Sequence, residues 1–234
     1  MRISYNGSAF FGFQNQNDVK SVANTLECAF KSVGIFGKII ASGRTDKGVH
    51  SSAQVISLEI PYFWSDLKDL KTRLNVKLAP NIYIKRIWKV ERNFHARFSA
   101  KRRGYCYVFS KYYSPFLMPF SLHYNFKNPS LIQQALKLFV GTRDFSAFKK
   151  QGGNEKSNIR TIFKAELKEF KGFWIVSFWG NGFLRSQVRL MVGFLLEIDK
   201  GNLELRDLEA QLKGAMLYKI PIAPNGLFLS RVDF

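Results

Sequence analysis

Acidic side chains are scarce in this 234-residue chain: 17 Asp and Glu face 36 Lys and Arg, a formal charge of +19 at neutral pH. A magnesium-dependent nuclease normally shows clustered carboxylates, and Asp46, the acid best placed for chemistry, has no acidic companion near it in the sequence. Cysteine is nearly absent as well. Cys28 and Cys106 stand 78 positions apart without CxxC spacing, which excludes a disulfide framework and a zinc knuckle; both are expected to be buried thiols. His50, His95 and His123 show neither HxxxH nor HxH spacing, so no metal site is expected. There is no Walker-type loop and no GxGxxG after a strand, which leaves nucleotide-cofactor chemistry without support. The longest apolar stretch, Leu190 to Leu196, falls well short of the roughly 18 residues of a membrane span. The first residues, Met1 to Asn6, carry no apolar targeting core, and a reducing cytoplasm is the expected location.

Apolar and aromatic residues are plentiful. Hydrophobic residues make up 46% of the chain and aromatics 15%, enough to build packed cores and unlike a disordered basic tail. The charge excess is shared: residues 1–100 hold 15 basic and 7 acidic side chains, residues 101–234 hold 21 and 10. A polyanion is therefore the expected partner, nucleic acid first and an anionic membrane surface second.

Hydrophobic periodicity predicts a strand at Arg2 to Tyr5, then a helix through Val22, Leu26, Ala29, Phe30 and Val33, with Ser21 as its cap and Gly34 as its stop. Strands follow near Lys38 to Ser42 and at Gln54 to Ile60, a helix at Ser65 to Lys77, and a strand at Asn81 to Glu91. The second half reads as a strand at Arg97 to Ser110, a helix at Ser130 to Val140 and a hairpin of Thr161 to Phe170 with Phe173 to Trp179. An apolar helix at Phe183 to Ile198, a polar one at Leu205 to Ala215 and a last strand at Gly226 to Phe234 complete it. The pattern predicts an α+β protein of two tandem ferredoxin-like βαββαβ units. Their largely antiparallel sheet would be flanked by helices, with a basic cleft between the halves. The expected domains are residues 1–96 and 97–234.

Three stretches carry residues suited to chemistry. Gly43-Arg44-Thr45-Asp46-Lys47-Gly48-Val49-His50 lies between two predicted strands and sets Asp46 among cations, with His50 as a further neighbour. Such a carboxylate suits a nucleophile or base; the alternative is a turn whose Asp caps its own backbone. Arg189 lies in a helix apolar almost all round. A buried guanidinium needs a carboxylate, for which Asp46 is attractive, whereas an Arg at a helix edge reaches solvent instead. Arg185 is placed one turn earlier on the same stripe. Lys101-Arg102-Arg103-Gly104-Tyr105-Cys106-Tyr107 joins a basic run to alternating aromatics. That composition fits phosphate neutralisation and base stacking, and equally a strand with one aromatic face in the core.

These stretches resemble the tRNA pseudouridine synthase A family, bacterial enzymes of the tRNA anticodon stem-loop. Gly43-Arg44-Thr45-Asp46-x-Gly48-Val49-His50 is similar to the family's signature loop, and Tyr5-Asn6-Gly7-Ser8 with Gly12-Phe13-Gln14 to its opening YDGxxxxGWQ. Phe94-His95-Ala96-Arg97-Phe98-Ser99-Ala100 and Arg103-x-Tyr105-x-Tyr107 follow. Gly141-Thr142-Arg143-Asp144-Phe145-x-x-Phe148, Arg160-Thr161-Ile162, Val188-Arg189-x-Met191-Val192-Gly193 and Ala223-Pro224-x-Gly226-Leu227-x-Leu229 then appear in the family's order.

The resemblance implies isomerisation of uridine to pseudouridine at tRNA positions 38, 39 and 40, by base flipping and without cofactor or metal. Asp46 would be the catalytic aspartate, Arg44 the side chain that displaces the base, and Tyr105 the ring stacked on the flipped uracil. Arg189 would be the ion-pair partner of Asp46, and Leu227 a wall of the pocket. Lys101, Arg102, Arg103 and Arg185 are candidate phosphate contacts. The partners implied are tRNA and a second copy of the chain, with no membrane. The chain departs from the family at Asn6 for Asp, Phe13 for Trp, Arg143 for His, Gln187 for Met, and in the extra Gly104 of the Arg-x-Tyr element.

Overall fold

The computed structural model describes residues 1–16, 19–152 and 156–234, a mixed α and β chain. It gathers into two compact units, Met1–Lys101 with Phe228–Phe234, and Arg102–Leu227.

In the first unit β1 (Arg2–Tyr5), α1 (Val22–Lys31), β2 (Ile40–Ala41), β3 (His50–Ser57), α2 (Leu67–Leu78) and β4 (Ile82–Arg86) follow in the order read from the sequence. β1 is central, antiparallel to both β3 and β4, and β2 adds to the far edge of β3. The start of α1 is chemically specified: Ser21 accepts the N–H of Asn24, and Val22, Ala23, Leu26, Ala29 and Phe30 all face inward at helical spacing. They join Ile3, Tyr5, Ile56, Leu70, Leu74 and Ile84 in one apolar core. Asp66 caps α2 by accepting two backbone N–H groups, of Lys68 and Asp69.

β3 begins at His50, four residues before the expected Gln54, and ends at Ser57 rather than Ile60. Ser51 and Ser52 read as loop because strands favour branched and aromatic residues. Here Ser51 supplies a partner instead of bulk: its hydroxyl accepts the N–H groups of Ala53 and Gln54.

The second unit starts with β5 (Arg102–Ser110), which pairs antiparallel with β9 (Phe173–Gly180) from Arg103 to Ser110. β8 (Ile159–Phe170) lies on the other side of β9 and carries β7 (Gly141–Asp144) on its outer edge. The β8–β9 turn is the expected Lys171-Gly172, both with positive φ, 46° and 83°. Two short strands were not expected: β7, and β6 (Leu122–His123), which runs parallel to the end of β5. α3 (Pro129–Leu138) packs on β8 and on α4 (Gln187–Lys200), with α5 (Leu205–Leu212) beside α3. The last strand, β10 (Leu227–Asp233), returns to the first unit, where Phe228 and Leu229 run parallel to His50 and Ser51 of β3.

Three further expectations are corrected. The strand predicted from Arg97 starts only at Arg102, because His95 Nδ1 accepts the N–H groups of Arg97 and Phe98 and folds that stretch into a turn. The helix predicted from Phe183 starts at Gln187, since Ser186 sits at φ 58° and interrupts the helical path. Arg185 therefore lies in the turn before α4 and not on the stripe of Arg189. Neither cysteine is fully buried: Cys28 is exposed on α1 and Cys106 is half-buried on β5.

Near the end of α4, Asp199 is only 6% exposed and accepts the Tyr124 hydroxyl at 2.7 Å and the N–H groups of Lys127 and Asn128, each at 2.9 Å. It thereby anchors the approach to α3. Asp199→Ala leaves those donors without their acceptor and is expected to lower unfolding free energy by about 2–5 kcal/mol, measured by urea denaturation; a loss below about 0.5 kcal/mol would contradict the anchoring role.

Candidate active site

The Gly43–Val49 loop leads from β2 into β3, which starts at His50, and its shape is set by the residues around it. At its base Gln54, fully buried, donates to the Gly43 carbonyl at 2.7 Å and accepts the Ser42 hydroxyl at 2.6 Å. Thr45 turns inward, its hydroxyl 2.8 Å from the Tyr5 hydroxyl, while its carbonyl accepts the N–H of Phe13 at 3.1 Å. Arg44 is exposed and Asp46 half-buried. Beyond Asp46 the chain closes a turn in which the N–H of Val49 reaches the Asp46 carbonyl at 3.1 Å. Gly48 bends the loop there at positive φ, 78°.

The opening segment fits against this loop at distances only glycine permits. A Cβ on Gly7 would lie 2.1 Å from the Val49 carbonyl oxygen, and one on Gly12, itself at φ 102°, 3.0 Å from the Thr45 oxygen. The N–H of Gly7 donates to His50 Nδ1 at 3.0 Å, which leaves the proton of a neutral imidazole on Nε2. The His50 ring, 1% exposed, stacks on Phe228 with centroids 4.7 Å apart. His50 thus braces the loop backbone. Lys47 lies 4.0 Å above the Phe11 ring. Tyr5, Gly7 and Gly12 are contacts that spacing could not disclose, because roughly forty residues separate the opening segment from the loop. The sole signal was the joint occurrence of the two motifs.

In the second unit Tyr105 and Tyr107 occupy one buried face of β5, as the alternation requires, with Cys106 on the other. Phe183 meets Tyr105 edge-on at 5.2 Å. Gly104 sits inside β5 opposite Trp179, so this departure is absorbed in the sheet. Arg103 donates to the Asn181 carbonyl at 2.9 Å, and exposed Arg102 lies over the Phe163 ring. Lys101 precedes the strand in the first unit, its N–H bonded to the Asp233 carbonyl. Arg185 is exposed and donates to the Gln151 carbonyl at 2.9 Å.

Arg189 is half-buried on α4 and donates Nε–H to the Ile222 carbonyl at 2.8 Å. Tyr107 donates its hydroxyl to the neighbouring Ala223 carbonyl. Burial pushes the Tyr107 phenol well above its ordinary range, against the opposing effect of the Arg189 charge. Gly226 completes this support, since a Cβ there would lie 2.7 Å from the Val108 oxygen and 2.9 Å from the Tyr107 ring. Arg189, Tyr107 and Gly226 thus fix the segment that leads into Leu227, buried at the start of β10. Gly193 serves the same segment on α4, where a Cβ would meet the Ile220 oxygen at 2.7 Å.

The family model for tRNA pseudouridine synthase matches residues 1–99 and 135–234, spans that include both the Asp46 loop and Arg189. The chain belongs to the tRNA pseudouridine synthase family. It is an isomerase, and its relatives cover the whole chain. A protein named tRNA pseudouridine synthase A from Wolinella succinogenes is 40% identical over 234 residues, 99% of this chain and 92% of the relative. Proteins of that name from Helicobacter hepaticus and Campylobacter jejuni are 41% and 39% identical, each over 99% of this chain and 97% and 98% of their own. A remote likeness, TM-score 0.39 and 11% identity over 99% of this chain and 48% of the other, is to a chain in a crystal structure of a Cbf5-Nop10-Gar1 complex.

Residues 100–134, with Arg102, Arg103 and Tyr105, lie between the two matched spans of the synthase model. Two departures from the family pattern have visible local roles in this synthase. Asn6 accepts the N–H of Ser8 through its side chain, work an Asp does equally well. Gln187 accepts the N–H of Leu184 at 2.8 Å and holds the turn before α4. Phe13 is buried beside Tyr5, with centroids 6.2 Å apart, and Arg143 is exposed on β7.

Proposed function

We propose that this synthase isomerises uridines of the tRNA anticodon stem-loop, with Asp46 as its catalytic carboxylate. The observation that carries the reading is the loop itself. Thr45 and the Val49 turn fix the backbone on both sides of Asp46, while Asp46 keeps part of its surface accessible. Arg44, two residues before it and exposed, is the side chain placed to displace a base.

A uracil stacked in an RNA stem cannot rotate in place, so the nucleotide leaves the stack before reaction. Tyr105 then stacks on the uracil and Leu227 packs against it. Arg189 is the ion-pair partner of Asp46 in this reading. The reaction breaks the bond from N1 to C1′ and joins C5 of the same uracil to C1′ of the same ribose; C5 gives up its proton and N1 takes one up, so the product is an isomer of the substrate. Nothing is oxidised or transferred elsewhere, so the overall chemistry calls for no redox cofactor. Attack on C1′, addition to C6 and removal of the C2′ proton all require the carboxylate form of Asp46.

In this reading both units are of the ferredoxin-like type, residues 1–96 contribute the aspartate loop and residues 97–234 the Tyr105 and Arg189 elements. A basic cleft between them takes the RNA, with Lys101, Arg102, Arg103 and Arg185 on phosphates. The active species is a homodimer in the cytoplasm. The charge excess supports a polyanionic substrate, and no helix among the described residues is long and apolar enough to cross a membrane.

The test is tritium release from C5-labelled uridine in an unmodified tRNA transcript. Release confined to uridines of the anticodon stem-loop is the expected outcome, without strand cleavage. Release from uridines elsewhere in the tRNA would refute the stem-loop assignment, and binding without release would refute the catalytic one.

A further inference from the structure

We propose that Tyr5 is a positioning residue for the reaction, acting through its hydroxyl bond to Thr45 on the backbone that carries Asp46. The proposal rests on the reading of Asp46 as the catalytic carboxylate.

Tyr5 ends β1, the central strand of its unit, where its backbone pairs with Ser51 of β3 on one side and Ile82 of β4 on the other. Its side chain is 5% exposed and belongs to the apolar core, an environment in which Phe would pack as well. Its hydroxyl nevertheless lies 2.8 Å from Thr45 Oγ1, and Thr45 is 7% exposed, at a position where Val has the same shape. Replacing a buried hydrogen-bonded pair with two apolar groups of matching shape is close to neutral for folding. A Phe–Val pair would therefore hold the core together. What it would not supply is direction: the hydroxyl bond fixes which way Thr45 turns. Arg44 and Asp46 flank Thr45, so a change in the way Thr45 turns is passed to both through the shared backbone.

Three surrounding contacts act on the backbone. The N–H of Phe13 holds the Thr45 carbonyl, Gly12 lies against the same oxygen, and the N–H of Val49 holds the Asp46 carbonyl. The Tyr5 bond is a side-chain restraint on the residue next to the carboxylate, referred to the central strand β1. Displacement of a reacting group by about 1 Å can cost on the order of a hundredfold in rate, so a restraint of this kind acts on turnover more than on binding.

Four variants test this: Tyr5→Phe, Thr45→Val, Thr45→Ser and the double Tyr5→Phe/Thr45→Val, with Asp46→Asn as reference. Single-turnover tritium release and KM are measured on the same tRNA transcript, beside thermal melting. Tyr5→Phe and Thr45→Val are each expected to slow the reaction about ten- to a hundredfold with KM within about twofold. The double variant should be no slower than the slower single one and should melt near the wild type, and Thr45→Ser should restore the rate. Rates within twofold of wild type for Tyr5→Phe and Thr45→Val, beside an inert Asp46→Asn, would overturn the positioning role and leave Asp46 in place. Slowing that follows a fall in melting temperature, or that Thr45→Ser fails to restore, would overturn it in favour of packing. An active Asp46→Asn would instead remove the reading on which the proposal rests.

Discussion

Asp46→Asn is expected to abolish tritium release while the tRNA transcript binds within about tenfold of its wild-type affinity. Asn matches Asp in shape and removes only the charge and the basic oxygen. The backbone bond from Val49 to the residue-46 carbonyl does not involve the side chain, and Thr45 remains held by Tyr5 and Phe13. The loop is therefore expected to keep its form, so that a lost reaction reports chemistry and not collapse. Binding is retained because phosphate contacts supply most of the affinity for RNA, and loss of a negative charge within a +19 protein does not weaken them. The checks are single-turnover tritium release and equilibrium binding at one stated salt concentration. Measurable turnover by Asp46→Asn would end the assignment of this aspartate.

Gly7→Ala is expected to have nearly as large an effect without touching any reacting group. The added methyl would start 2.1 Å from the Val49 oxygen, 2.3 Å from its carbonyl carbon and 2.8 Å from the His50 nitrogen, all of them backbone atoms that cannot rotate aside. Either the end of β1 or the Val49–His50 segment must move by about 1 Å, and the bond from the Gly7 N–H to His50 is strained with it. Overpacking of this kind costs about 1–3 kcal/mol of stability. Because the displaced segment lies three residues from Asp46, a rate loss of at least about a hundredfold is expected in addition. Gly182→Ala is the matched control, since its nearest neighbours are side-chain atoms of Arg160 at 3.7 Å or more. If both variants melt and turn over alike, the close approach at Gly7 is not what holds the loop.

Elements with local chemical markers were legible in the sequence. α1 has a Ser cap and an apolar face, and the β8–β9 turn has Lys-Gly between two strands, so both emerge near their observed bounds. The errors arose where a side chain replaces the usual local signal. His95 folds residues 97 and 98 into a turn through its ring nitrogen, and Ser51 lets a strand begin on polar residues. Ser186 in the left-handed region separates Arg185 from the helix of Arg189, and nothing in its neighbours' periodicity marks it. For the candidate site, the loop that holds Arg44 and Asp46 was legible because its residues are contiguous in sequence. The Tyr5–Thr45 bond and the Gln54 base were not, since both depend on which strands become neighbours.

The path of β10 affects how the enzyme is made. Residues 1–101 leave the ribosome well before Phe228–Phe234, yet both stretches belong to one unit. A nascent chain at that stage lacks the partner strand beside His50 and Ser51, and the ring on which His50 stacks. The Asp46 loop is therefore left with one side of its brace unbuilt until residues 228–234 have been made. An exposed strand edge is open to wrong pairing, so biosynthesis passes through a vulnerable period whose length is the time taken to translate the second unit.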